Sequence, residues 1–286
     1  MGVRAGTLKA RPRTQTQVAI STDGSRWFLL NASPDLRQQI LSSVDLVPPA
    51  GTRNTQVSTV VLTSADVDAV MGLLHLREFQ PLQIFSTMAV RRVLAEENSL
   101  FRVLARSNPP VKWESLSLDR LTPLISPSPA DKKSGLFCKA ISLNGNFPDY
   151  VSESLRNTLS PEEAVIGLSL VSKEKKVFYA PNLPGTGDQW LRCMEESDLA
   201  ILDGTFWKDD ELNSIRKGSK SARQMGHLPL WGDRGLLRQP FRPSKTRRVL
   251  IHINNTNPIL NDESPESRIV RDAGWEIAHD GMELAI

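Results

Sequence analysis

Cysteine is almost absent from the sequence, which contains only Cys138 and Cys193 in 286 residues. Two cysteines so far apart form neither a CxxC motif nor a disulfide framework, which argues against a cysteine-built zinc site and suits a reducing compartment. Long apolar runs are also missing, because none reaches the roughly 18 residues of a membrane-spanning helix, and residues 1–15 lack the apolar core of a signal peptide. We therefore expect a cytoplasmic protein without membrane insertion.

Neither sign of charge dominates, since 35 Lys and Arg residues against 32 Asp and Glu residues give a net charge of +3. Such a mild excess does not require a nucleic-acid partner, and we predict none. The densest basic stretch, "SIRKGSKSAR" at 214–223, is typical of a solvated loop. The alternative is that it binds an acidic substrate just before His227 through Arg216, Lys217, Lys220 and Arg223.

The order of predicted elements indicates a single α/β or α+β domain over residues 1–286. Residues 16–31 predict two strands joined by a turn at Asp23 and Gly24, and strands and helices then alternate to the end of the chain. The tract 122–135, "TPLISPSPADKKSG", looks like a loop. We interpret it as a surface excursion and not as a linker, because strands that need partners resume after it.

Polar side chains recur where the apolar strands end. Asp66 and Asp68, Asn182, Asp203 and His252 each lie at or just beyond the end of such a strand. If these strands share one sheet edge, their side chains converge there, and that edge is where α/β proteins bind ligands. This convergence is the strongest functional indication that the residues alone provide.

Each candidate also has an ordinary structural interpretation. Asp66 or Asp68 could simply cap the helix that follows. Asp203 would be costly to bury unless a metal or a cation satisfied it. An isolated histidine in an apolar strand, such as His252, is normally a packed core residue. His227 follows "RQMG" and could be a surface histidine on a flexible loop.

The asparagines after His252 allow two interpretations. Asn254, Asn255 and Asn257 are expected to shape a turn around Pro258 by bonding their own backbone. The alternative is that they orient His252 from outside its coordination sphere. Asn255 is in addition a candidate contact for the substrate.

The stretch 60–76, "VVLTSADVDAVMGLLHL", resembles the metal motif of the metallo-β-lactamase superfamily, which reads Leu-Thr-His-x-His-x-Asp-His before Gly-Leu. The motif is degenerate here, because its three histidines fall on Ser64, Asp66 and Ala69, and only Asp68 keeps its motif identity. Blocks in the family's order are similar to coenzyme PQQ synthesis protein B, a branch of that superfamily, over residues 11–286. They are "RPRTQTQVAIS", "LLNASPDLRQQI", "GLLHLREFQP", "DGTFWKDDE", "RQMGH", and "VLIHINNTNPILNDESPE" with "AHDGMEL".

The resemblance implies a four-layer αββα sandwich, with two packed sheets and helices outside. This agrees with the order of elements predicted above. Family members carry an N-terminal strand with a glycine-rich turn and a cysteine cluster thought to hold structural zinc, and none of that precedes Arg11. Either the chain start is truncated or misassigned, or this member has lost the element. We therefore expect a fold without this strand, and an unpaired sheet edge unless another segment covers it.

The resemblance also implies a role in making pyrroloquinoline quinone (PQQ). Ala69 cannot bind a metal, and Asp66 stands where the motif has a histidine. Two histidines with one carboxylate form the arrangement that non-haem iron oxygenases use, whereas zinc prefers a tetrahedral set. The candidate metal ligands are Asp66, Asp68, Asp203, His227 and His252.

Two functions are compatible with these residues. The first is iron-dependent hydroxylation of the ring of a tyrosine-derived PQQ precursor, with iron held by Asp68, His252 and either Asp203 or His227. The second is a non-catalytic binding or carrier protein that moves PQQ or its precursor towards the periplasm, with a site too degenerate for iron. The expected partner is PQQ or a precursor in both cases, and a homodimer is left open. Loss of the three motif histidines argues against a two-metal hydrolase.

Overall fold

The computed structural model describes residues 10–47, 50–51, 56–77, 81–106, 108–126, 134–173, 175–242 and 245–286. The chain divides into two compact units. The N-terminal unit is Gln15–Glu174, and the C-terminal unit is Lys175–Ile286 together with Met1–Thr14. The single domain over residues 1–286 stays a prediction.

An antiparallel hairpin begins the N-terminal unit, as the sequence predicted. β1 (Val18–Ile20) pairs with β2 (Trp27–Leu30). The Asp23 carboxylate holds the connection by accepting hydrogen bonds from the backbone amides of Ser25 and Arg26 at 2.9 and 3.0 Å. The turn chemistry expected from the aspartate and glycine in this segment is therefore present.

Three further strands extend the hairpin into a five-stranded sheet of order β1-β2-β3-β4-β5. They are β3 (Val57–Val61), β4 (Gln83–Ser86) and β5 (Lys112–Ser115), and each is parallel to its predecessor in that order. β3 and β4 are almost entirely buried, which matches their continuous apolar runs. The helices of this region are α1 (Leu36–Ser42), α2 (Val67–Val70), a 3₁₀ helix (Met71–Leu76), α3 (Met88–Arg91), a π turn (Arg92–Glu96) and α4 (Arg102–Ala105).

An antiparallel meander completes the N-terminal unit. It contains β6 (Leu121–Pro123), β7 (Phe137–Ser142) and β8 (Ile166–Ser172). β6 corrects the prediction for 122–135, because a short strand occupies the start of that tract, while 127–133 lie outside the described residues. The unit also contains α5 (Glu153–Arg156) and a 3₁₀ turn at Pro161–Glu163.

Four parallel strands form the centre of the C-terminal unit, in the order β12-β11-β10-β9. They are β9 (Lys175–Ala180), β10 (Leu199–Asp203), β11 (Arg247–Ile251) and β12 (Trp275–Ile277). Every residue of β10 is buried, as expected for a strand covered on both faces. The helices are α6 (Asp188–Glu195), α7 (Glu211–Ile215) and α8 (Pro265–Asp272), with 3₁₀ turns at Arg223–Met225, Leu236–Arg238 and Pro258–Leu260.

Among the described residues, no helix combines the length and the apolar character needed to cross a bilayer.

The two cysteines differ in burial and should differ in reactivity. Cys138 in β7 is fully buried, which raises the pKa of its thiol to about 12, whereas Cys193 on α6 is partly exposed. Because the thiolate is the reactive form, iodoacetamide at near-neutral pH should label Cys193 in the folded chain and leave Cys138 unlabelled. Peptide mass spectrometry measures both sites, and urea should make their labelling comparable. Equal labelling in the folded chain would contradict the burial of Cys138.

Candidate metal centre

Asp203 is the last residue of β10 and is completely buried. Its carboxylate accepts hydrogen bonds from the backbone amides of Leu183 and Thr205, both at 2.9 Å, and from the Thr205 hydroxyl at 2.6 Å. Burial alone would raise the pKa of Asp203, but the charges of His227 and His252 and the hydrogen bonds lower it below its ordinary value. The buried charge is therefore compensated, as a carboxylate in this position must be.

His252 follows β11 directly, beside Asp203, because Ile251 is the register partner of Asp203 across the two parallel strands. Its backbone has φ +60, a left-handed conformation that is uncommon for a residue with a side chain. In this conformation, Nδ1 of His252 lies 3.0 Å from the carbonyl oxygen of Pro181 and 3.1 Å from Oγ1 of Thr205. The ring is thus held at the carboxyl ends of β9, β10 and β11.

His227 reaches the same place from a loop. The 3₁₀ turn before it ends at Gly226 with φ +83, and the amide of Leu228 then donates to the carbonyl of Leu183 at 2.6 Å. Nδ1 of His227 lies 2.8 Å from Oδ2 of Asp203, and Phe206 packs edge-on against the imidazole with 5.7 Å between centroids. Only 9% of His227 is exposed, so it is not a surface histidine.

Asp203, His227 and His252 form a cluster that suits one metal ion. Each offers a ligand atom, these atoms all lie within 4.8 Å of one another, and the two imidazole centroids are 5.2 Å apart. Bonds of about 2.1 Å at roughly 90–110° place ligand atoms about 3–3.4 Å apart, so only small shifts would be needed. Within the described ranges this is the one such group of three or more His, Cys, Asp or Glu residues. Its nitrogen and oxygen donors fit zinc or iron.

The other two predicted carboxylates, Asp66 and Asp68, belong to the N-terminal unit. Asp66 occupies the N-cap position of α2, yet its side chain makes no capping hydrogen bond and instead accepts one from the Ser64 hydroxyl at 2.8 Å. Asp68 is exposed in the first turn of α2. Simple helix capping therefore does not explain Asp66, and the part of both residues in metal binding stays a prediction.

The predicted basic substrate contacts lie on the surface of the C-terminal unit. Arg216, Lys217 and Lys220 are exposed, and the Arg223 guanidinium lies 3.5 and 3.3 Å from the carbonyls of Asp233 and Arg234. α7 extends to Ile215, so the stretch predicted as a loop over 214–223 begins inside a helix. The exposure agrees with a solvated face, and substrate binding by these four residues stays a prediction.

Of the asparagines after His252, some shape the turn and one supports the backbone of the site. Asn257 is buried, and its amide donates to the carbonyls of Gly204 and Thr205 at 2.9 and 3.2 Å, which fixes the backbone beside Asp203. Asn254 and Asn255 shape the turn, because the Asn255 amide donates to the Asn254 side chain at 3.0 Å. Asn255 is exposed, and its contact with a substrate stays a prediction.

Thr205 and Pro181 were missed as site residues by the sequence analysis. The Thr205 hydroxyl contacts Asp203, His227 and His252, and the Pro181 carbonyl contacts His252. The one available signal for Thr205 was its place two residues after a strand-ending aspartate, where hydroxyl side chains often form local hydrogen bonds. No side-chain pattern could identify the Pro181 carbonyl.

The fold corresponds to a known class of proteins. The family model described as "Beta-lactamase superfamily domain" matches residues 26–253. The crystal structure of Zn²⁺-bound PqqB from Methylobacterium extorquens is similar with a TM-score of 0.87 and 34% identity, covering 100% of this chain and 92% of that one. The chain is therefore a protein of the metallo-β-lactamase fold, and the predicted fold class is confirmed.

Curated relatives define the family within this class. Coenzyme PQQ synthesis protein B of Xanthomonas oryzae pv. oryzae (strain MAFF 311018) is 36% identical over 97% of this chain and 89% of that protein. The protein of the same name from Pseudomonas paraeruginosa is 38% identical over 100% of this chain and 92% of its own length. The chain belongs to the coenzyme PQQ synthesis protein B family, as the resemblance predicted.

Proposed function

We propose that this chain is a cytoplasmic, iron-dependent enzyme of PQQ biosynthesis that hydroxylates the aromatic ring of a tyrosine-derived precursor. The observation that carries the proposal is the cluster of two imidazoles and one carboxylate at the carboxyl edge of β10 and β11. Two histidines with a carboxylate and open positions are the ligand set of non-haem iron oxygenases. Family membership supplies the pathway and the class of substrate.

The residues of the cluster would hold the metal. His227 and His252 offer ring nitrogens, and the Asp203 carboxylate completes the set. Phe206 packs against His227 in a T-shaped contact, and the buried Asp203 fixes the position of the His227 ring. A bound iron would supply the activation of O₂ that ring hydroxylation requires. Zinc, as in the Methylobacterium extorquens protein, is the alternative metal and would not perform this chemistry.

The proposal is tested by oxygen incorporation. Chain loaded anaerobically with ferrous iron is mixed with a tyrosine-derived precursor, ascorbate as electron donor, and ¹⁸O₂. The expected product gains one ¹⁸O atom per hydroxylation, by mass spectrometry, while the second oxygen atom leaves as water. His252→Ala should abolish the gain, whereas His75→Ala, a control histidine exposed on a 3₁₀ helix outside the cluster, should retain it. Label taken from water, or equal turnover in both variants, would contradict the proposal.

A carrier or binding protein for PQQ or its precursor is the second candidate. It is favoured by Ala69, which stands where the superfamily motif has a histidine, and by the exposed basic residues Arg216, Lys217 and Lys220. A carrier should bind PQQ with chelator-treated, metal-free protein and produce no hydroxylated compound. Equilibrium dialysis against PQQ with and without metal therefore separates the two candidates.

A further inference from the structure

Two loops leave the cluster side by side, one after β10 and one after β11, because these strands are parallel neighbours. Next to the strands, the loops are joined at the Thr205 carbonyl. It accepts from the Asn254 amide at 3.1 Å and from the buried Asn257 side chain at 3.2 Å. Farther along, the first loop reaches Trp207 and the second reaches Thr256.

Glu211 connects the same two loops a second time. It is the first residue of α7 and is half-buried. Oε2 of its carboxylate accepts a hydrogen bond from the Trp207 amide at 2.6 Å, and Oε1 accepts one from the Thr256 hydroxyl. The Thr256 hydroxyl accepts in turn from the side-chain amide of Asn254 at 2.8 Å. Each oxygen of this single carboxylate therefore holds one of the two loops.

The segment that follows His227 is tied to the first of these loops. The Trp231 amide donates to the Trp207 carbonyl at 2.8 Å. The indole rings of the same two residues stack with 5.5 Å between their centroids and an interplanar angle of 7°. The backbone of Trp207 is thus bound to Glu211 through its amide and to the segment after His227 through its carbonyl.

A local interpretation of Glu211 is that it only closes the turn before α7. An acidic residue in the first turn of a helix is favourable by itself, and the contact with Trp207 spans only four residues of sequence. The contact with Thr256 does not fit this interpretation, because it spans 45 residues and joins a different loop.

We propose that Glu211 is a positioning residue of the cluster, whose carboxylate holds the loops after Asp203 and His252 at the separation that metal binding requires. The three members of the cluster come from three separate segments, so they bind an ion tightly only if those segments keep their mutual positions. The inference rests on the metal site of the proposed function. It does not depend on hydroxylation, because it concerns binding of the ion alone.

The first test compares Glu211→Ala with Glu211→Gln and with the control Glu266→Ala, which removes a glutamate from the first turn of α8. Zn²⁺ affinity is measured on chelator-treated protein by competition with a chromophoric chelator. Glu211→Ala should bind Zn²⁺ about 10-fold more weakly, and the control should stay within about threefold of the parent chain.

Glu211→Gln should also stay within about threefold of the parent chain, because both partners of the carboxylate are uncharged. The side-chain carbonyl of the glutamine can accept from the Trp207 amide, and its amide can donate to the Thr256 hydroxyl. Parent-like affinity in Glu211→Ala, or equal weakening in Glu211→Ala and Glu266→Ala, would overturn the proposal.

The second test breaks the connection from its other end and remains valid if Glu211→Ala fails to fold. Thr256→Val removes the hydroxyl and leaves the contact of Glu211 with Trp207 in place, whereas Thr256→Ser keeps the hydroxyl. The valine variant should bind Zn²⁺ about 10-fold more weakly, and the serine variant should stay within about threefold of the parent chain. Parent-like affinity in Thr256→Val would overturn the proposal in favour of the local turn.

The two changes should also fail to add. Glu211→Ala combined with Thr256→Val should bind Zn²⁺ no more weakly than Glu211→Ala alone, because both remove the same connection. Fully additive losses would contradict a shared role.

Neither readout involves turnover. Weaker Zn²⁺ binding in Glu211→Ala and Thr256→Val without oxygen incorporation would refute the hydroxylase and leave this inference intact. Parent-like Zn²⁺ binding in both variants together with oxygen incorporation would do the reverse. A parent chain that binds no Zn²⁺ would overturn the inference.

Discussion

Replacing Asp203 by alanine is expected to lower the free energy of unfolding of the metal-free chain by about 3–5 kcal/mol. The carboxylate is completely buried, and its loss leaves the donors of Leu183, Thr205 and His227 without their acceptor. Urea denaturation monitored by tryptophan fluorescence, with chelator present, measures the change. Asp203→Asn keeps one acceptor oxygen and should lose less. A loss below about 1 kcal/mol in the alanine variant would contradict the stabilising role of the four hydrogen bonds that the Asp203 carboxylate accepts.

The free energy of unfolding should decrease at acid pH because of the Asp203 carboxylate. Burial raises the pKa of Asp203, but the charges of His227 and His252 with the hydrogen bonds outweigh it, so the folded-state pKa lies below the ordinary value of 3.8. The contribution of Asp203 is then fully present above pH 3.8 and is lost as the pH falls through the folded-state pKa. Urea midpoints measured from about pH 5 to about pH 2 should fall more steeply in the parent chain than in Asp203→Asn. Parallel curves would contradict the lowered pKa.

Replacing Gly72 by alanine should cost about 3 kcal/mol of unfolding free energy for a different reason. A β-carbon at Gly72 would lie 2.2 Å from the Ser33 carbonyl oxygen and 2.9 Å from backbone atoms of Ala32. This approach is fixed, because the Gly72 amide donates to the Ala32 carbonyl at 2.9 Å. The clashing atoms belong to the backbone, so the clash cannot be relieved by a change of side-chain rotamer.

A matched control is Gly185→Ala, because a β-carbon there would meet nothing within 4 Å. Its unfolding free energy should stay within about 0.5 kcal/mol of the parent value. Urea denaturation of both variants under one set of conditions provides the comparison. Equal costs at the two positions would show that the close approach at Gly72 is relieved by a movement of the chain.

The elements that the sequence predicts well are those with strong local patterns. β10 is an apolar run as far as its last residue, Asp203, and β11 contains the apolar residues 249–251. The hairpin of β1 and β2 has its aspartate and glycine at the turn. α5 and α7 escaped prediction because helices of four or five residues are too short to show a 3.6-residue period. Such short helices are stabilised by tertiary contacts more than by their own propensity.

The site was predictable to the extent that strand ends define it. Asp203 and His252 converge because β10 and β11 are parallel neighbours whose carboxyl ends are level. His227 approaches from a loop, and the sequence alone could not place it beside Asp203. The position of the His252 ring depends on the Pro181 carbonyl and on the left-handed backbone of His252, and neither is encoded in a side-chain pattern.

The most direct measurement is the iron content of chain purified anaerobically with added ferrous iron, for the parent chain, His252→Ala and the control His75→Ala. We predict about one iron per chain in the parent and in His75→Ala, and its loss in His252→Ala, because His252 is a member of the cluster with His227 and Asp203. Iron that is retained in His252→Ala would contradict the placement of the site. Iron that appears only after Ala69→His would show that the natural chain has lost its metal and acts as a binding protein.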